Sequence, residues 1–471
     1  MPAQTDSQSK VTNLVAVFEE TARGRGQKTA VNQKKQGKWE TVSWSELARR
    51  ARNVADGLAA WGIKPGDRVA VIGDTNLEWI LADLGILGAG AITVTIYQSN
   101  LPHECQFILE NSGAALVFCD TEIQAAKIRE VKARLPALKG IICAAGARPG
   151  GFEQTLAQLE AAGVEFAATH PGAHAARVAA IPSSAPASFI YTSGTTGNPK
   201  GVVLTHGNWT YEATAVATLD LVRPDDMVLM FLPMAHSFAK VIEAVWFATG
   251  ASCAFVESME KIVDNAGEIR PTVMPSVPRI FEKAYSAVVG KGLATPGLKG
   301  KLFKMTMEGF DEWAAGMEQG VDRPNWKFTL GRKLVFPKLA AALKERFGGR
   351  MRHFVSGGAP LSAKINHFFS FCGLSILEGY GLTESSAGTF VNRPGKNRIG
   401  TVGPPVPGTQ VKIAEDGEIL IKGPCIMKEY YNNPAATAEA LHDGWLATGD
   451  IGEVDADGSL RCPRAGCGSR A

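Results

Sequence analysis

The chain has 471 residues, 45% of them hydrophobic and 20% charged, with a formal net charge of +3. It is too long for one ordinary domain, and so small a net charge gives no ground for a nucleic-acid partner or a strongly anionic one. No apolar run reaches membrane-spanning length, and the polar stretch Met1 to Lys10 lacks a signal-peptide core. The expected location is the cytoplasm, with peripheral contact at the inner face of the membrane left open. Of the eight cysteines, six are scattered and several lie in apolar strand-like runs, which reads as buried thiols. Cys462 and Cys467 form a lone C-x4-C, a weak metal signal.

Taken in order, Ser43-Trp44-Ser45-Glu46 has the pattern of a capping box. Leu47, Ala51, Val54, Leu58 and Trp61 then recur at helical spacing. Lys64-Pro65-Gly66-Asp67 ends that helix. Val69 to Ile72 reads as a buried strand, Leu77 to Leu87 as a helix and Ile92 to Ile96 as a strand. A helix over Pro102 to Glu110 follows, then strands at Leu116 to Phe118 and Ile141 to Cys143. Strands alternating with helices imply a parallel α/β sheet. Gly146 to Ser184, rich in Ala, Gly and Pro, reads as a surface connection.

Ala187 to Tyr191 is a short apolar strand and Val202 to Thr205 another. Between them stands Thr192-Ser193-Gly194-Thr195-Thr196-Gly197-Asn198-Pro199-Lys200-Gly201. Glycines free the backbone to turn N–H groups inward, hydroxyls add donors and a lysine adds a positive charge, which suits a polyphosphate. It is not a Walker A loop, because Lys200 is followed by Gly201. Met227 to Leu232 is a strand, and His236 lies just past its carboxyl end, where α/β sheets place ligand-contacting groups. Arg270 to Lys283 reads as a Pro-restrained strand running into a helix. An amphipathic helical excursion follows at about residues 290–334. Phe354 to Ser356 opens onto Gly357-Gly358-Ala359, whose bare backbone can lie flat against a planar ring. In Glu378-Gly379-Tyr380-Gly381-Leu382-Thr383-Glu384, Tyr380 offers a stacking face, Thr383 a hydroxyl for a phosphate oxygen, and Glu384 a hard oxygen for Mg²⁺.

The run Tyr191 to Gly201 resembles the phosphate-binding signature of the adenylate-forming, AMP-binding superfamily. Tyr380 to Glu384 and Asp443 to Gly452 resemble its later motifs. The segment Arg270 to Lys283 and the insert after it resemble the long-chain fatty acyl-CoA synthetase type. The resemblance extends to about Leu460. It implies an α/β fold, the large N-terminal region of these enzymes: two doubly wound α/β sub-domains (1–185 and 186–400) and a small β sub-domain (401–461). After Leu460 the off-pattern tail 462–471 leads to the expectation that the mobile C-terminal α+β domain is absent. The resemblance further implies an ATP-dependent long-chain fatty acid:CoA ligase, with ATP, Mg²⁺ and CoA as cofactor and co-substrates, and with both half-reactions expected to be impaired where the C-terminal domain is absent. It implies catalytic roles for Lys200, His236, Thr383 and Glu384. Nucleotide binding falls to Thr192, Ser193, Gly194, Thr195, Thr196, Gly197, Lys200, Gly357, Gly358, Ala359, Glu378, Gly379, Tyr380, Gly381, Thr383 and Asp450. Thr192 and Glu384 are the implied Mg²⁺ contacts. Two other readings stand beside this one: a non-catalytic remnant that binds ATP or a fatty acid, and an adenylating ligase for another carboxylic acid. Chain length and oligomeric state are not legible.

Overall fold

A computed structural model describes residues 13–144, 146, 152–192 and 198–462. Two eight-stranded sheets and a four-stranded one organise the chain. The first sheet is parallel from Pro186–Thr192 through Ile92–Tyr97, Arg68–Gly73, Leu116–Cys119, Gly140–Cys143 and Glu153–Thr155. Its far edge turns antiparallel, through Lys200–Thr205 and Glu429–Tyr430. The strands are continuous apolar runs because helices cover both faces. Val69, Ala70, Val71 and Ile72 are all at most 2% exposed.

The second sheet is parallel over Ser375–Tyr380, His353–Ser356, Val273–Ser276, Met227–Met230, Ser252–Phe255 and Thr29–Lys35. Antiparallel strands Phe390–Val391 and Lys38–Ser43 close its two edges. The small sheet is antiparallel, built from Gln410–Ile413, Glu418–Lys422, Trp445–Ile451 and Leu441–His442.

Strand pairing does not follow the division expected at residue 185. Thr29–Lys35, early in the chain, pairs with Ser252–Phe255 of the second sheet, and Pro186–Thr192 pairs with Ile92–Tyr97 of the first. Glu429–Tyr430 leaves the small sheet's stretch of sequence to pair with Lys200–Thr205. Pairing partners hundreds of residues apart leave no trace in local periodicity, so a boundary drawn from composition misses them.

The stretch expected to be a surface connection holds two helices, Leu156–Thr169 and Ala173–Ala180. Its small residues serve packing rather than turning. A Cβ on Gly163 would lie 1.9 Å from the Asn53 carbonyl oxygen, and one on Gly57 would lie 2.3 Å from that of Leu159. The helices Trp44–Ala60 and Leu156–Thr169 thus meet backbone to backbone. The capping box at Ser43 is half made. Ser43 Oγ accepts from the Glu46 N–H, but the Glu46 carboxylate pairs with Arg49 instead of reaching back. Lys200 pairs with Thr192 across the hairpin, so the two residues close the loop between them. Residues 193–197, with Ser193, Gly194, Thr195, Thr196 and Gly197, lie outside the described residues, as does Cys467.

Candidate active site

The carboxyl ends of three parallel strands of the second sheet converge at the site: Met227–Met230, His353–Ser356 and Ser375–Tyr380. A cavity of about 570 Å³ opens there. Ligand-sized pockets at the carboxyl edge of α/β sheets follow from the topology, since loops leave the strands in opposite directions at a switch point. Thr192, Lys200, His236, Gly357, Gly358, Ala359, Glu378, Gly379, Tyr380, Gly381, Thr383, Glu384 and Asp450 all line this one cavity. Every described residue singled out from the sequence is therefore brought together.

At one end, Tyr380 donates its hydroxyl to Asp450 Oδ2 at 2.8 Å. Burial pushes the Asp450 carboxyl above its ordinary value, while that hydrogen bond opposes the rise. Gly381 is compelled by its neighbour: a Cβ there would sit 2.2 Å from the Ala387 carbonyl oxygen. Glu378 turns away toward the adjoining loop. Its Oε1 accepts from Asn366 Nδ2 at 3.0 Å and its Oε2 from the Leu361 N–H at 3.4 Å. It braces the loop after Gly357-Gly358.

The middle of the cavity carries the phosphate and metal candidates. Lys200 Nζ stands 5.1 Å from the ring centre of Tyr430. Among the described residues no carboxylate pairs with Lys200, so its charge is available to a ligand. Tyr430 donates to Glu384 Oε1 at 2.7 Å, and Thr383 shares a hydrogen bond of 3.1 Å with Ser237. Ser386 and Ala387, just after Glu384, have φ of 56° and 66°. Two consecutive left-handed residues other than glycine mark stored strain in the turn that presents Thr383 and Glu384. No cluster of three His, Cys, Asp or Glu that could hold a metal exists among the described residues. One carboxylate and one hydroxyl, Glu384 and Thr192, still fit Mg²⁺, which takes few protein ligands and completes its shell with water and phosphate oxygens.

His236 caps the helix Ser237–Thr249, and its Nδ1 accepts from the Phe238 N–H at 3.0 Å. The proton therefore resides on Nε2. The ring is exposed to the cavity, and partial desolvation by the surrounding walls lowers its pKa from the ordinary value. Neutral His236 is a hydrogen-bond donor at physiological pH. Beyond it the wall turns apolar, with Val216, Leu221, Ile242, Val245 and Val273. Sequence reasoning missed Tyr430, which reaches the site only through its pairing with Lys200–Thr205, and most of the apolar wall, which reads as ordinary core; Val273 and Pro275 lie in Arg270 to Lys283, which resembles the segment lining the acyl pocket in the long-chain type. It also missed Ser356, whose buried hydroxyl lines the cavity without a partner among the described residues.

Residues 18–431 match the model of the AMP-binding enzyme family. The chain belongs to that family. It is 38% identical over 430 residues to "Long-chain-fatty-acid--CoA ligase FadD15" of Mycobacterium bovis, a match covering 90% of this chain and 69% of that protein. It is 31% identical over 467 residues to "Long-chain-fatty-acid--CoA ligase ACSBG1" of Homo sapiens, covering 94% of this chain and 63% of that protein. The crystal structure of the N-terminal domain of FACL13 from Mycobacterium tuberculosis superposes with a TM-score of 0.69 at 23% identity. That match covers 96% of this chain and 99% of the crystallised domain, and it shows that the two share a fold.

Proposed function

We propose that the chain activates a long-chain fatty acid with ATP and passes the acyl group to CoA. One observation carries this reading. A single cavity is lined both by the hydrogen-bonded Tyr380–Asp450 pair, suited to a nucleoside, and by apolar side chains suited to an alkyl chain, with Lys200, Thr383 and His236 in the same lining. In the first step a carboxylate oxygen bonds to the α-phosphorus as the bond to the β-phosphate oxygen breaks, and pyrophosphate leaves. In the second the CoA sulfur, its proton lost to solvent, bonds to the acyl carbon and AMP leaves.

Two anions must meet in the first step. Lys200 offsets part of that repulsion, and Thr383 donates to a phosphate oxygen. His236 Nε2–H holds one carboxylate oxygen and leaves the other free to attack. Asp450 accepts from the ribose hydroxyls, and Tyr380 stacks the base. Glu384 and Thr192 would hold Mg²⁺, which would supply charge neutralisation on the phosphates. The loop residues 193–197 belong to the same proposal on their sequence alone.

Pyrophosphate release by the purified chain with ATP, Mg²⁺ and palmitate, with and without CoA, tests it. Release that depends on palmitate and rises with CoA is the expected result. Release that is indifferent to any fatty acid, alongside intact ATP binding, overturns the choice of substrate.

A further inference from the structure

The strands Arg68–Gly73 and Ile92–Tyr97 of the first sheet carry none of the residues assigned above, yet their carboxyl ends reach the turn that presents His236. Thr75, two residues past the first of them, donates its hydroxyl to the Leu232 carbonyl at 2.6 Å. Thr95, within the second, donates to the Ala235 carbonyl at 3.1 Å. Tyr97 follows Thr95 on the same face of the strand. It sets its ring edge-on to the His236 imidazole, with centroids 6.5 Å apart and planes inclined at 73°. A threonine is out of place in so apolar a strand, whose Val94 and Ile96 are fully buried. Thr95 is 5% exposed, so its hydroxyl needs a protein partner, and it finds one in a loop of the other sheet.

That partner matters because of what comes next in the chain. The Ala235 carbonyl and the His236 N–H belong to one planar peptide unit. Thr95 holds the carbonyl, and the N–H donates to the Pro233 carbonyl at 2.9 Å, so the plane is fixed at both ends. His236 leaves it with φ of −94° and ψ of 139°, and its Nδ1 closes the cap on the Phe238 N–H. Ser237, the next residue, shares its hydrogen bond with Thr383. The turn 232–237 is thus held from one side by the first sheet and from the other by Thr383.

We infer that Thr95, together with Thr75 and Tyr97, is a positioning residue for His236. The first sheet fixes the peptide that precedes the histidine and flanks its ring, and so sets the direction in which Nε2–H points. What that hydrogen meets, a fatty acid carboxylate, rests on the ligase reading; the placement of the ring does not.

The test is ¹⁵N NMR of the full chain labelled in histidine, with the His236 ring identified by its loss in His236→Gln. Near neutral pH the native ring should show a single tautomer, protonated at Nε2. Thr95→Val and Tyr97→Leu should each move it toward a mixture of tautomers, and Thr95→Ser, which keeps the hydroxyl, should retain the native signature. In pyrophosphate release, Thr95→Val should raise the KM for palmitate roughly five-fold or more, since a buried carbonyl loses its donor, and leave the KM for ATP unchanged. A general loosening of the fold would move both. A single-tautomer signature that survives in both Thr95→Val and Tyr97→Leu overturns the inference, as does a Thr95→Ser ring that behaves like Thr95→Val. If the native chain releases no pyrophosphate with palmitate, the ligase reading falls, and the tautomer signature still decides the placement.

Discussion

In the proposed nucleoside site, the hydrogen bond from Tyr380 to Asp450 divides the work between a ring and a carboxyl group. If Asp450 accepts from the ribose as proposed, Asp450→Ala costs about 1.5–3 kcal/mol for charge-assisted bonds. The KM for ATP should rise roughly ten- to a hundred-fold while that for palmitate stays nearly constant. Tyr380→Phe keeps the ring and loses only the donor to Asp450, at about 1 kcal/mol or roughly five-fold. Steady-state kinetics with each substrate varied in turn separate the two. If both KM values rise together, the cradle is not a nucleoside site. His206 makes a prediction of another kind. It is fully buried, its Nδ1 faces the Leu14 N–H at 3.4 Å, and burial lowers its pKa to about 3. The unfolded chain takes up a proton below about pH 6.5, but the folded chain does not until about pH 3. Stability from this group is therefore complete above pH 6.5 and lost as the pH falls, by about 2 kcal/mol at pH 5. Urea unfolding at pH 7 and pH 5 should show that loss, and His206→Asn should shrink it.

At the scale of elements, the contact between Trp44–Ala60 and Leu156–Thr169 turns on Gly163. A methyl group there would stand 1.9 Å from the Asn53 carbonyl, which is backbone and cannot swing aside. Gly163→Ala should push the helices apart and cost about 3 kcal/mol, at the upper end of overpacking. A thermal midpoint equal to wild type would show that the helices are not in close contact. This pair also marks where the sequence was legible and where it was not. Trp44–Ala60 could be read because its buried positions, Leu47, Ala51, Val54 and Leu58, recur at helical spacing against polar ones. Leu156–Thr169 could not, because Ala and Gly signal loop or close packing alike, and only the partner helix decides. The central strands of both sheets announced themselves as apolar runs between turns, but polar strands such as Thr29–Lys35, Lys38–Ser43 and Glu153–Thr155 did not, nor did the strand order. The site was legible where a residue's chemistry is unusual for its place, as with Lys200, Tyr380 and Asp450. It was illegible where a residue arrives by long-range pairing, as Tyr430 does, or where a ligand wall is made of core, as at Ile242 and Val245.

At the scale of the molecule, the two large sheets are joined through a buried cluster of charges. Asp83 lies on the helix Leu77–Gly88, which follows a strand of the first sheet; Lys240 and Glu243 lie on Ser237–Thr249, which follows a strand of the second. The three side chains are at most 4% exposed, and Lys240 contacts both carboxylates, Glu243 at 2.6 Å. Burial holds the Glu243 carboxyl above its ordinary value against the pull of Lys240. The cluster therefore sets one buried amino group against two buried carboxyl groups, of which Glu243 is the one that burial biases toward its protonated form. A buried set of this kind contributes little net stability over an apolar core, but removing one member leaves the others uncompensated. Lys240→Met should cost about 3–5 kcal/mol, because it strands Asp83 without its cation. Replacing all three together, as Asp83→Leu/Lys240→Met/Glu243→Met, should recover most of that loss, since no charge then remains to be solvated. Lys240 also lies one turn past His236, and its backbone N–H donates to the His236 carbonyl at 3.2 Å. That main-chain bond survives the substitution, so the single variant should disturb the cap that presents His236 only by displacing the helix, and the triple variant should restore it. Urea unfolding measured beside pyrophosphate release distinguishes the two effects. If the triple variant is as unstable as the single one, the cluster contributes packing shape rather than charge balance, and the sheets are joined by contacts other than these three side chains.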